Sequence, residues 1–384
     1  MARFEKNYDS RRKPKNLKKS KARQGEKNQS FVLALEKWQE FLDEGFFQAR
    51  VVEVHKRYAF VSPEPKDLQI ATNEVFLATV AKKYLLSARK ERNFLAVGDR
   101  VLCRKDSSGP SDVSQDIAAC VIEKRDDRMN TITRLDPLNN KRQHHIAVNI
   151  GQLVIVASYM YPQVKWGLID RYLALAESQD LPVVIILNKL DLLASQSAKL
   201  QDEICSYEKI YEELGYPLIK IAAGPNLSSK AKKSCQKELA AVFSDKLSLV
   251  TGHSGVGKST IVNLLEPEIV QLVEDEEILR KGRHTTTFAS LIKLAMGGFI
   301  VDSPGIKSFS LEERSAPELT YCFKEMRPFL NQCKFRECRH IDEPGCAILQ
   351  AIEQNLIRVE RYRSYVSMLT TNTGREGRLR DKLS

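Results

Sequence analysis

A glycine-rich segment carries the clearest chemistry in this chain of 384 residues. It fits the pattern of glycine, four residues, glycine, lysine, then serine or threonine, and consists of Gly252, His253, Ser254, Gly255, Val256, Gly257, Lys258, Ser259 and Thr260. The preceding SLVT predicts a strand, and the following TIVNLLE predicts a helix. Backbone N–H groups of such a loop surround phosphate oxygens, while Lys258 adds positive charge and Ser259 offers a hydroxyl to Mg²⁺. We therefore predict that the whole segment binds a nucleoside triphosphate, with Lys258 and Ser259 acting in catalysis.

A second motif indicates which base is bound. It follows the apolar run PVVIIL and consists of Asn188, Lys189, Leu190 and Asp191. The carboxyl ends of parallel strands are where open α/β sheets bind ligands. A carboxylate at Asp191 can accept hydrogen bonds from the N1 and N2 donors of guanine, a pair that adenine lacks. The motif predicts guanine specificity; the alternatives are a turn that caps the next helix, or an ATPase with an accidental match.

The segment after the glycine-rich loop predicts the Mg²⁺ side of the site. Asp302-Ser303-Pro304-Gly305 follows the strand-like GGFIV, so Asp302 is expected in the Mg²⁺ shell and the Gly305 N–H is expected to sense the γ-phosphate. Residues 282–287 read GRHTTT, and we predict Thr286 as the threonine that joins Ser259 on Mg²⁺.

The side chain that orients the attacking water is missing. Many GTPases have glutamine directly after the aspartate–glycine motif, whereas this chain has Ile306, which cannot hydrogen-bond to water. Hydrolysis by the isolated protein is therefore expected to be slow. His284 is a candidate to position water, although an exposed or helix-capping histidine fits the sequence equally well.

Four residues near the carboxyl end have the composition of a metal site. Cys333, Cys338, His340 and Cys346 lie within 14 positions and supply three thiolates and one imidazole, the usual donor set of structural Zn²⁺. The alternative is three reduced cysteines and a surface histidine. The remaining cysteines are predicted to be small buried side chains, and they are Cys103, Cys120, Cys205, Cys235 and Cys322.

The elements that position these residues follow from the hydrophobic pattern. Short apolar runs alternate with amphipathic helix-length stretches from residue 147 to about residue 310, which predicts a parallel sheet with helices on both faces. Before it, about five short strands in residues 46–135 predict a small β-barrel of the oligonucleotide-binding kind. After it, the chain is predicted to be helical.

The charge is concentrated at the amino end. The net charge is +11, of which residues 1–25 contribute +8 through ten basic and two acidic side chains. Such a segment is expected to seek nucleic-acid phosphates, or else to be a solvated leader. In the last part of the chain, Arg327, Lys334, Arg336 and Arg339 are candidates for the same contacts, although nearby acidic residues leave a salt-bridged surface as the alternative. No apolar run is long enough for a membrane helix and no secretory signal is recognisable, so the expected location is the cytoplasm.

The order of the motifs along the chain differs from that of an ordinary GTPase and limits the protein families that it can resemble. Asn188 precedes Gly252 by 64 residues, whereas in an ordinary GTPase the glycine-rich loop comes first. The chain resembles the circularly permuted, ribosome small-subunit-dependent GTPase A family over about residues 45–370. The matching segments are GDRV at 98–101, LIDRYL at 168–173, NKLD at 188–191, SGVGKST at 254–260, RHTTT at 283–287, DSPG at 302–305 and the cysteine cluster.

The resemblance implies a multidomain architecture. Residues 1–45 would form a basic tail and short helix, 46–135 an RNA-binding barrel, 147–312 a circularly permuted α/β P-loop GTPase domain, and 313–384 an α-helical zinc-binding domain. It also implies that Ala222 and Ala223 stand where the family has a serine–alanine guanine loop, and that the same Cys₃His set holds one structural Zn²⁺.

The function expected from the residues and the resemblance is GTP hydrolysis on the small ribosomal subunit. The subunit and its rRNA would be the partners, Mg²⁺ would accompany GTP, turnover would rise on binding, and the protein would be a monomer that assists late maturation. The alternative is an RNA-binding assembly scaffold that uses GTP occupancy as a signal without significant turnover.

Overall fold

The computed structural model describes residues 45–55, 57–64, 75–82, 94–106, 118–136, 139–224, 227–266, 290–302 and 315–373. The predicted basic tail and short helix lie outside this part of the chain, apart from Gly45. None of the helices among the described residues is long and apolar enough to cross a membrane.

Five short strands form a barrel near the amino end, as the strand count predicts. They are β1 Phe46–Val54, β2 Ala59–Pro63, β3 Phe76–Val80, β4 Arg100–Asp106 and β5 Ala119–Arg125. The pairing order is β1–β2–β3–β5–β4, and β4 pairs back onto β1 to close the barrel. Alternate side chains of these strands point inward, and the resulting core includes Phe47, Val61, Val101 and Ile122.

A two-stranded ribbon links the barrel to the next part of the chain. It consists of β6 Thr131–Asp136 and β7 Asn139–Val148, which pair antiparallel with each other. The ribbon spans both sides of residue 135, where the sequence places the end of the barrel.

A central sheet follows. Its strands are β8 Gln152–Ser158, β9 Val183–Asn188, β10 Leu218–Lys220, β11 Leu247–Thr251, β12 Ser290–Lys293 and β13 Phe299–Asp302. The sheet order is β10–β9–β8–β11–β13–β12, and all pairs are parallel except β12 with β13.

Helices cover both faces of this sheet, as the alternating pattern predicts. The helices are α1 Trp166–Ser178, α2 Ala198–Glu213, α3 Ser229–Phe243 and α4 Lys258–Leu265. On β8, Leu153 and Ile155 face one core with α1 and α2, whereas Val154 and Val156 face the other core with α3 and α4. The near-continuous apolar runs therefore follow from burial on both faces.

The expectation that strand–helix alternation continues to residue 310 is wrong at β12 and β13. These strands form an antiparallel hairpin, because the connection at residues 294–298 is too short for a crossover. Gly297 and Gly298 occupy this turn at φ 87° and 89°, a conformation that glycine adopts without strain.

The last part of the chain is helical, as expected, and packs on α1. It contains α5 Ala316–Tyr321, a 3₁₀ helix Lys324–Phe329, α6 Ala347–Glu353 and α7 Val359–Thr373. Leu319, Phe323, Ile348 and Tyr365 belong to the same hydrophobic cluster as Leu173 of α1. This helical part therefore shares a core with the sheet.

One prediction about the isolated cysteines is wrong. Cys103, Cys120, Cys235 and Cys322 are buried as expected, but Cys205 is exposed. On α2, the buried positions are Ile204, Glu208, Ile210 and Tyr211, and helical periodicity turns Cys205 away from the face that Ile204, Glu208 and Tyr211 share.

Candidate functional site

The glycine-rich loop joins β11 to α4, as the motif requires. The strand ends at Thr251 and the helix begins at Lys258, so the amino-terminal N–H groups and positive end of α4 face the loop. Glycine is required at two positions of the loop, because a Cβ there would collide with a neighbouring segment. A Cβ on Gly252 would lie 2.0 Å from the Val156 carbonyl oxygen, and one on Gly257 would lie 2.2 Å from Asn188 Nδ2.

The Lys258 ammonium lies within the loop. Its Nζ donates to the carbonyl oxygens of Gly252 at 3.0 Å and His253 at 2.9 Å. The His253 ring is exposed, and its Nδ1 lies 2.9 Å from the Ser254 carbonyl oxygen. Ser259 is exposed in the first turn of α4, next to Lys258. The loop therefore presents a cation and a hydroxyl at the same helix end.

Asn188 is buried and connects the base-reading segment to the glycine-rich loop. Its Nδ2 donates to the Val256 carbonyl at 3.0 Å, while its Oδ1 accepts from the backbone N–H groups of Lys189 at 2.7 Å and Ala223 at 2.8 Å. Within the described part of the chain, the hydrogen bonds of this amide go to protein backbone. Asn188 thus holds three loop segments together.

Lys189 and Asp191 occupy a short turn beyond β9. Lys189 has φ 60°, and its Nζ donates to the Tyr161 carbonyl and, at 2.8 Å, to the Gly255 carbonyl. Asp191 lies exposed in the 3₁₀ turn Leu190–Leu192. Its carboxylate is therefore available at the surface beside the loop.

The Ala222–Ala223 segment lies beside this turn, as the resemblance implies. The Leu190 N–H donates to the Ile221 carbonyl at 3.0 Å. The Ala223 N–H donates to Asn188 Oδ1. Ala223 therefore supports the asparagine, and Gly224 is the next residue that borders the open pocket.

A pocket of about 550 Å³ lies between these segments. One side is formed by Lys189, Asp191, Ala223 and Gly224, and the other by Ser254, Gly257, Lys258, Ser259 and Thr260. The fold thus brings together motifs separated by more than 60 residues. The pocket combines a carboxylate at one end with a lysine and a helix N-terminus at the other, which suits a guanine base joined to phosphates.

Tyr161 and Pro162 also lie beside the glycine-rich loop, although no motif marks them in the sequence. They follow β8, the strand beside β11, and Pro162 Cδ lies 3.5 Å from the position that a Cβ on Gly255 would take. Ser158 Oγ donates to the Pro162 carbonyl at 2.7 Å. Their position after β8, a strand that ends at the same sheet edge as β11, is the feature of the sequence that could have indicated a role for them.

Of the residues predicted to bind Mg²⁺, Ser259 and Asp302 lie in the described part of the chain. β13 ends at Asp302 and runs parallel to β11, so Asp302 lies at the same sheet edge as the glycine-rich loop. His284, Thr286, Gly305 and Ile306 lie outside the described residues.

The four predicted metal ligands form a compact cluster. The ligand atoms of Cys333, Cys338, His340 and Cys346 all lie within 4.8 Å of one another. Cys333 Sγ lies 3.9 Å from Cys346 Sγ, and His340 Nδ1 lies 3.5 Å and 3.4 Å from these two sulfurs. Tetrahedral Zn²⁺ with Zn–S bonds of about 2.3 Å requires sulfurs ~3.8 Å apart. The cluster therefore fits a metal ion of this kind.

Cys338, His340 and Cys346 of the cluster are buried. Burial raises the pKa of the Cys338 and Cys346 thiols and lowers the pKa of His340. A neutral imidazole is the ligand form of histidine, and buried thiolates need a compensating charge. Tyr362 of α7 donates to the His340 carbonyl at 2.8 Å, and Tyr365 donates to the Arg339 carbonyl at 2.9 Å.

A buried ion cluster joins α7 to the helices α1 and α2. Arg361 is 2% exposed; it contacts Asp170 Oδ1 on α1 and donates to Glu325 Oε1 at 2.6 Å. Tyr211 donates to the same Asp170 oxygen at 2.7 Å. Asp170 belongs to the LIDRYL segment, which had no assigned role.

Arg327 belongs to this junction rather than to a surface for RNA. Its NH2 donates to Glu177 Oε2 on α1 at 2.5 Å, and its guanidinium lies 4.6 Å from the Tyr321 ring centroid. For Arg327 the structure therefore favours the salt-bridged alternative, because its guanidinium is paired with Glu177 within the protein. Lys334 and Arg336 are exposed.

Comparison with known sequences identifies the family. The family model described as RsgA GTPase matches residues 125–312. The small ribosomal subunit biogenesis GTPase RsgA of Shewanella oneidensis is 38% identical over 278 residues, which span 72% of this chain and 74% of that protein. The protein of the same name from Bacteroides fragilis is 35% identical over 287 residues, which span 74% of this chain and 86% of that protein.

Solved structures agree with these relatives. The crystal structure of YjeQ from Thermotoga maritima has a TM-score of 0.65 at 29% identity and covers 86% of this chain and 100% of that one. YloQ, described as a circularly permuted GTPase, has a TM-score of 0.63 at 26% identity and covers 87% of this chain and 97% of that one. The expected resemblance is confirmed: this chain is a GTP-hydrolysing enzyme that belongs to the RsgA GTPase family.

Proposed function

We propose that this GTPase binds the small ribosomal subunit, assists its late maturation, and hydrolyses GTP faster when bound. The relatives named as small ribosomal subunit biogenesis GTPases support the biological role. The observation that carries the GTPase assignment is the buried Asn188, which joins the Asp191 turn and the glycine-rich loop at one pocket.

In the proposed complex, Asp191 accepts hydrogen bonds from guanine, and the loop N–H groups surround the phosphates. Lys258 exchanges its carbonyl partners for the β- and γ-phosphate oxygens, since charge develops there during transfer. The full proposed set of GTP contacts comprises Asn188, Lys189, Leu190, Asp191, Ala222, Ala223, residues 252–260 and Gly305. Within this set, Asn188 and Ala223 contribute by holding the loops around GTP in place.

Mg²⁺ is proposed to bind together with GTP, as part of the nucleotide substrate. Ser259 and Thr286 are proposed to bind it, and Asp302 to complete its shell. The ion would neutralise charge on the transferred phosphoryl group. His284 is proposed to position the attacking water once the subunit has ordered the surrounding segment, since Ile306 cannot do so.

The cysteine cluster is proposed to hold one structural Zn²⁺ per chain through Cys333, Cys338, His340 and Cys346. The donor set supports this proposal, because three thiolates and an imidazole leave no open position for a substrate. The ion would stabilise the loop on which α7 rests.

The proposed domains are a tail at 1–45, a barrel of the oligonucleotide-binding type at 46–135, a GTPase domain at 147–312 and a zinc-binding domain at 313–384. The barrel and tail are proposed to bind rRNA. We also propose that the protein is a monomer and acts in the cytoplasm.

Turnover of GTP titrated with purified small subunits tests the function. We expect stimulation of at least about ten-fold, which corresponds to only ~1.4 kcal/mol of barrier. Stimulation should fall with added salt, because phosphate contacts release counterions, and removal of residues 1–25 should weaken it. Turnover that saturating subunits leave unchanged would contradict the proposal and favour a scaffold that uses GTP occupancy alone.

A further inference from the structure

Tyr159, Glu208 and Lys220 form a polar group, which we call the Glu208 cluster and which belongs to none of the GTPase motifs. The Tyr159 hydroxyl donates to Glu208 Oε1 at 2.5 Å, and Lys220 Nζ donates to Glu208 Oε2 at 2.5 Å. Tyr159 and Glu208 are buried, whereas 39% of the Lys220 side chain is exposed. One carboxylate on α2 therefore joins the end of β8 to the end of β10.

Tyr159 connects the cluster to one side of the base-reading turn at residues 188–191. It follows β8, whose last residue Ser158 pairs with Asn188 at the end of β9. The Tyr159 N–H donates to the Asn188 carbonyl at 3.0 Å. Two residues later, the Tyr161 carbonyl accepts from Lys189 Nζ. The segment that begins at Tyr159 therefore supports the first half of the turn.

Lys220 connects the cluster to the other side of the same turn. It is the last residue of β10. The next residue, Ile221, accepts at its carbonyl from the Leu190 N–H at 3.0 Å. The Ala223 N–H then donates to Asn188 Oδ1 at 2.8 Å. The segment that begins at Lys220 therefore holds the turn through two further bonds.

We propose that Glu208 is a positioning residue for guanine recognition. Its carboxylate fixes the separation of the two segments that support the base-reading turn, and this separation sets where the Asp191 carboxylate meets the base. Glu208 itself lies on α2, outside the described lining of the nucleotide pocket. The inference rests on the proposed reading of guanine by Asp191, because it names the residues that hold Asp191 in place.

Burial explains why this cluster can control the turn. Burial and the adjacent Glu208 carboxylate raise the pKa of Tyr159, so its hydroxyl keeps the proton that it donates. A buried carboxylate that loses a partner is strongly destabilising, so both supporting segments must stay within reach of Glu208. A displaced turn would lose base contacts first, because hydrogen bonds weaken steeply as their geometry departs from the ideal.

Two buried tyrosines provide a matched pair of variants, Tyr159→Phe and Tyr211→Phe. Each variant loses one hydroxyl that donates to a carboxylate, and both rings are fully buried. The partner of Tyr211 is Asp170 on α1, which belongs to the ion cluster with Arg361. We expect Tyr159→Phe to bind fluorescent GDP about five-fold more weakly and Tyr211→Phe to bind it like the unaltered protein. Equal weakening in both variants would indicate a general loss of stability and overturn the proposal.

The preference for GDP over IDP is a measurement that a merely structural role would not change. Inosine keeps the N1 donor of guanine but lacks its 2-amino group, so a displaced Asp191 gains little from that group. We expect the preference to fall about five-fold in Tyr159→Phe and in Lys220→Met. Lys220→Arg restores a cation beside Glu208 and should keep the preference. Because Lys220 is partly exposed, its variants also test the proposal if Tyr159→Phe fails to fold.

GTP turnover by the same variants separates base recognition from phosphate chemistry. When hydrolysis is slow relative to dissociation, KM reports binding. Lys258 and Ser259 lie on α4, outside the two segments that the cluster supports. We therefore expect KM to rise about five-fold in Lys220→Met while kcat stays unchanged. A fall in kcat at unchanged KM would place the effect at the phosphates and contradict the proposal.

The inference and the proposed function fail in different ways. If the unaltered protein binds GDP and IDP equally, guanine reading by Asp191 fails and this inference fails with it. If the unaltered protein prefers GDP, and Tyr159→Phe and Lys220→Met keep that preference in full, guanine reading stands and only the positioning role of Glu208 is excluded.

Discussion

The Asn188 side-chain amide donates to the Val256 carbonyl at 3.0 Å across 68 positions of sequence. This bond joins the end of β9 to the glycine-rich loop that follows β11. Because β8 separates these strands in the sheet, the contact bridges the sheet edge rather than a pair of neighbouring strands. This buried amide, together with the bond from Lys189 Nζ to the Gly255 carbonyl, therefore holds the base-reading turn against the phosphate-binding loop.

Replacing Asn188 should weaken guanine nucleotide binding. Asn188→Ala leaves two N–H groups and one carbonyl without this partner, and each unsatisfied buried group costs about 1–3 kcal/mol. Asn188→Asp keeps an acceptor for Lys189 and Ala223 but sets a carboxylate oxygen against the Val256 carbonyl. We expect both variants to bind fluorescent GDP at least about ten-fold more weakly. Binding by Asn188→Asp at the unaltered affinity would show that the Val256 contact is dispensable.

Asp191→Asn should change the base that is preferred. The amide presents a donor where the carboxylate accepted, so affinity for GTP should fall and affinity for xanthosine nucleotides should rise. Competition binding with GTP, XTP and ATP measures the change. Equal competition by ATP and GTP in the unaltered protein would contradict guanine recognition by Asp191.

Lys258→Ala and Ser259→Ala should each abolish turnover while leaving the fold intact. Both remove contacts that strengthen as charge develops on the transferred phosphoryl group. Lys246→Ala, at the opposite end of β11, is the matched control and should retain activity. Turnover is measured as phosphate release, and circular dichroism reports the fold; undiminished release in both loop variants would exclude this loop as the active site.

One zinc ion per chain is expected in protein purified without chelators. Cys338→Ser should lose the metal and destabilise the helical part, while GTP binding persists, because the cluster lies apart from the nucleotide pocket. Cys322→Ser replaces a buried cysteine outside the cluster and should keep its zinc. Elemental analysis decides the prediction, and metal-free native protein would refute it.

Arg361→Met should strongly destabilise the protein. The substitution leaves Asp170 and Glu325 buried without their cation, and breaking such a cluster costs about 3–5 kcal/mol. Arg358 lies in the same helical part, and Arg358→Met removes its exposed ion pair with Glu213 of α2. This loss should cost at most about 1 kcal/mol. Urea unfolding gives both free energies, and equal losses would show that burial of Arg361 contributes little.

The sequence alone was sufficient for the residues whose roles depend on local chain geometry. The segment from Gly252 to Thr260 must be a strand–loop–helix connection, because its glycines, lysine and serine are needed at fixed spacing. The cysteine cluster was predictable for the same reason, since four donors within 14 positions can converge through one turn. Alternating apolar runs were enough to predict a sheet with helices on both faces.

Tertiary structure alone decided which of these residues meet and in which direction they face. Asn188 was predicted to bind GTP, but its contacts are to Val256 and Ala223, which pattern and spacing do not reveal. Cys205 is exposed although its segment is partly apolar, since the rotation of α2 depends on what it packs against. The antiparallel β12, the pairing of β1 with β12 and the burial of Arg361 likewise depend on contacts between distant segments. Local spacing specifies a motif, whereas burial and partners are properties of the assembled chain.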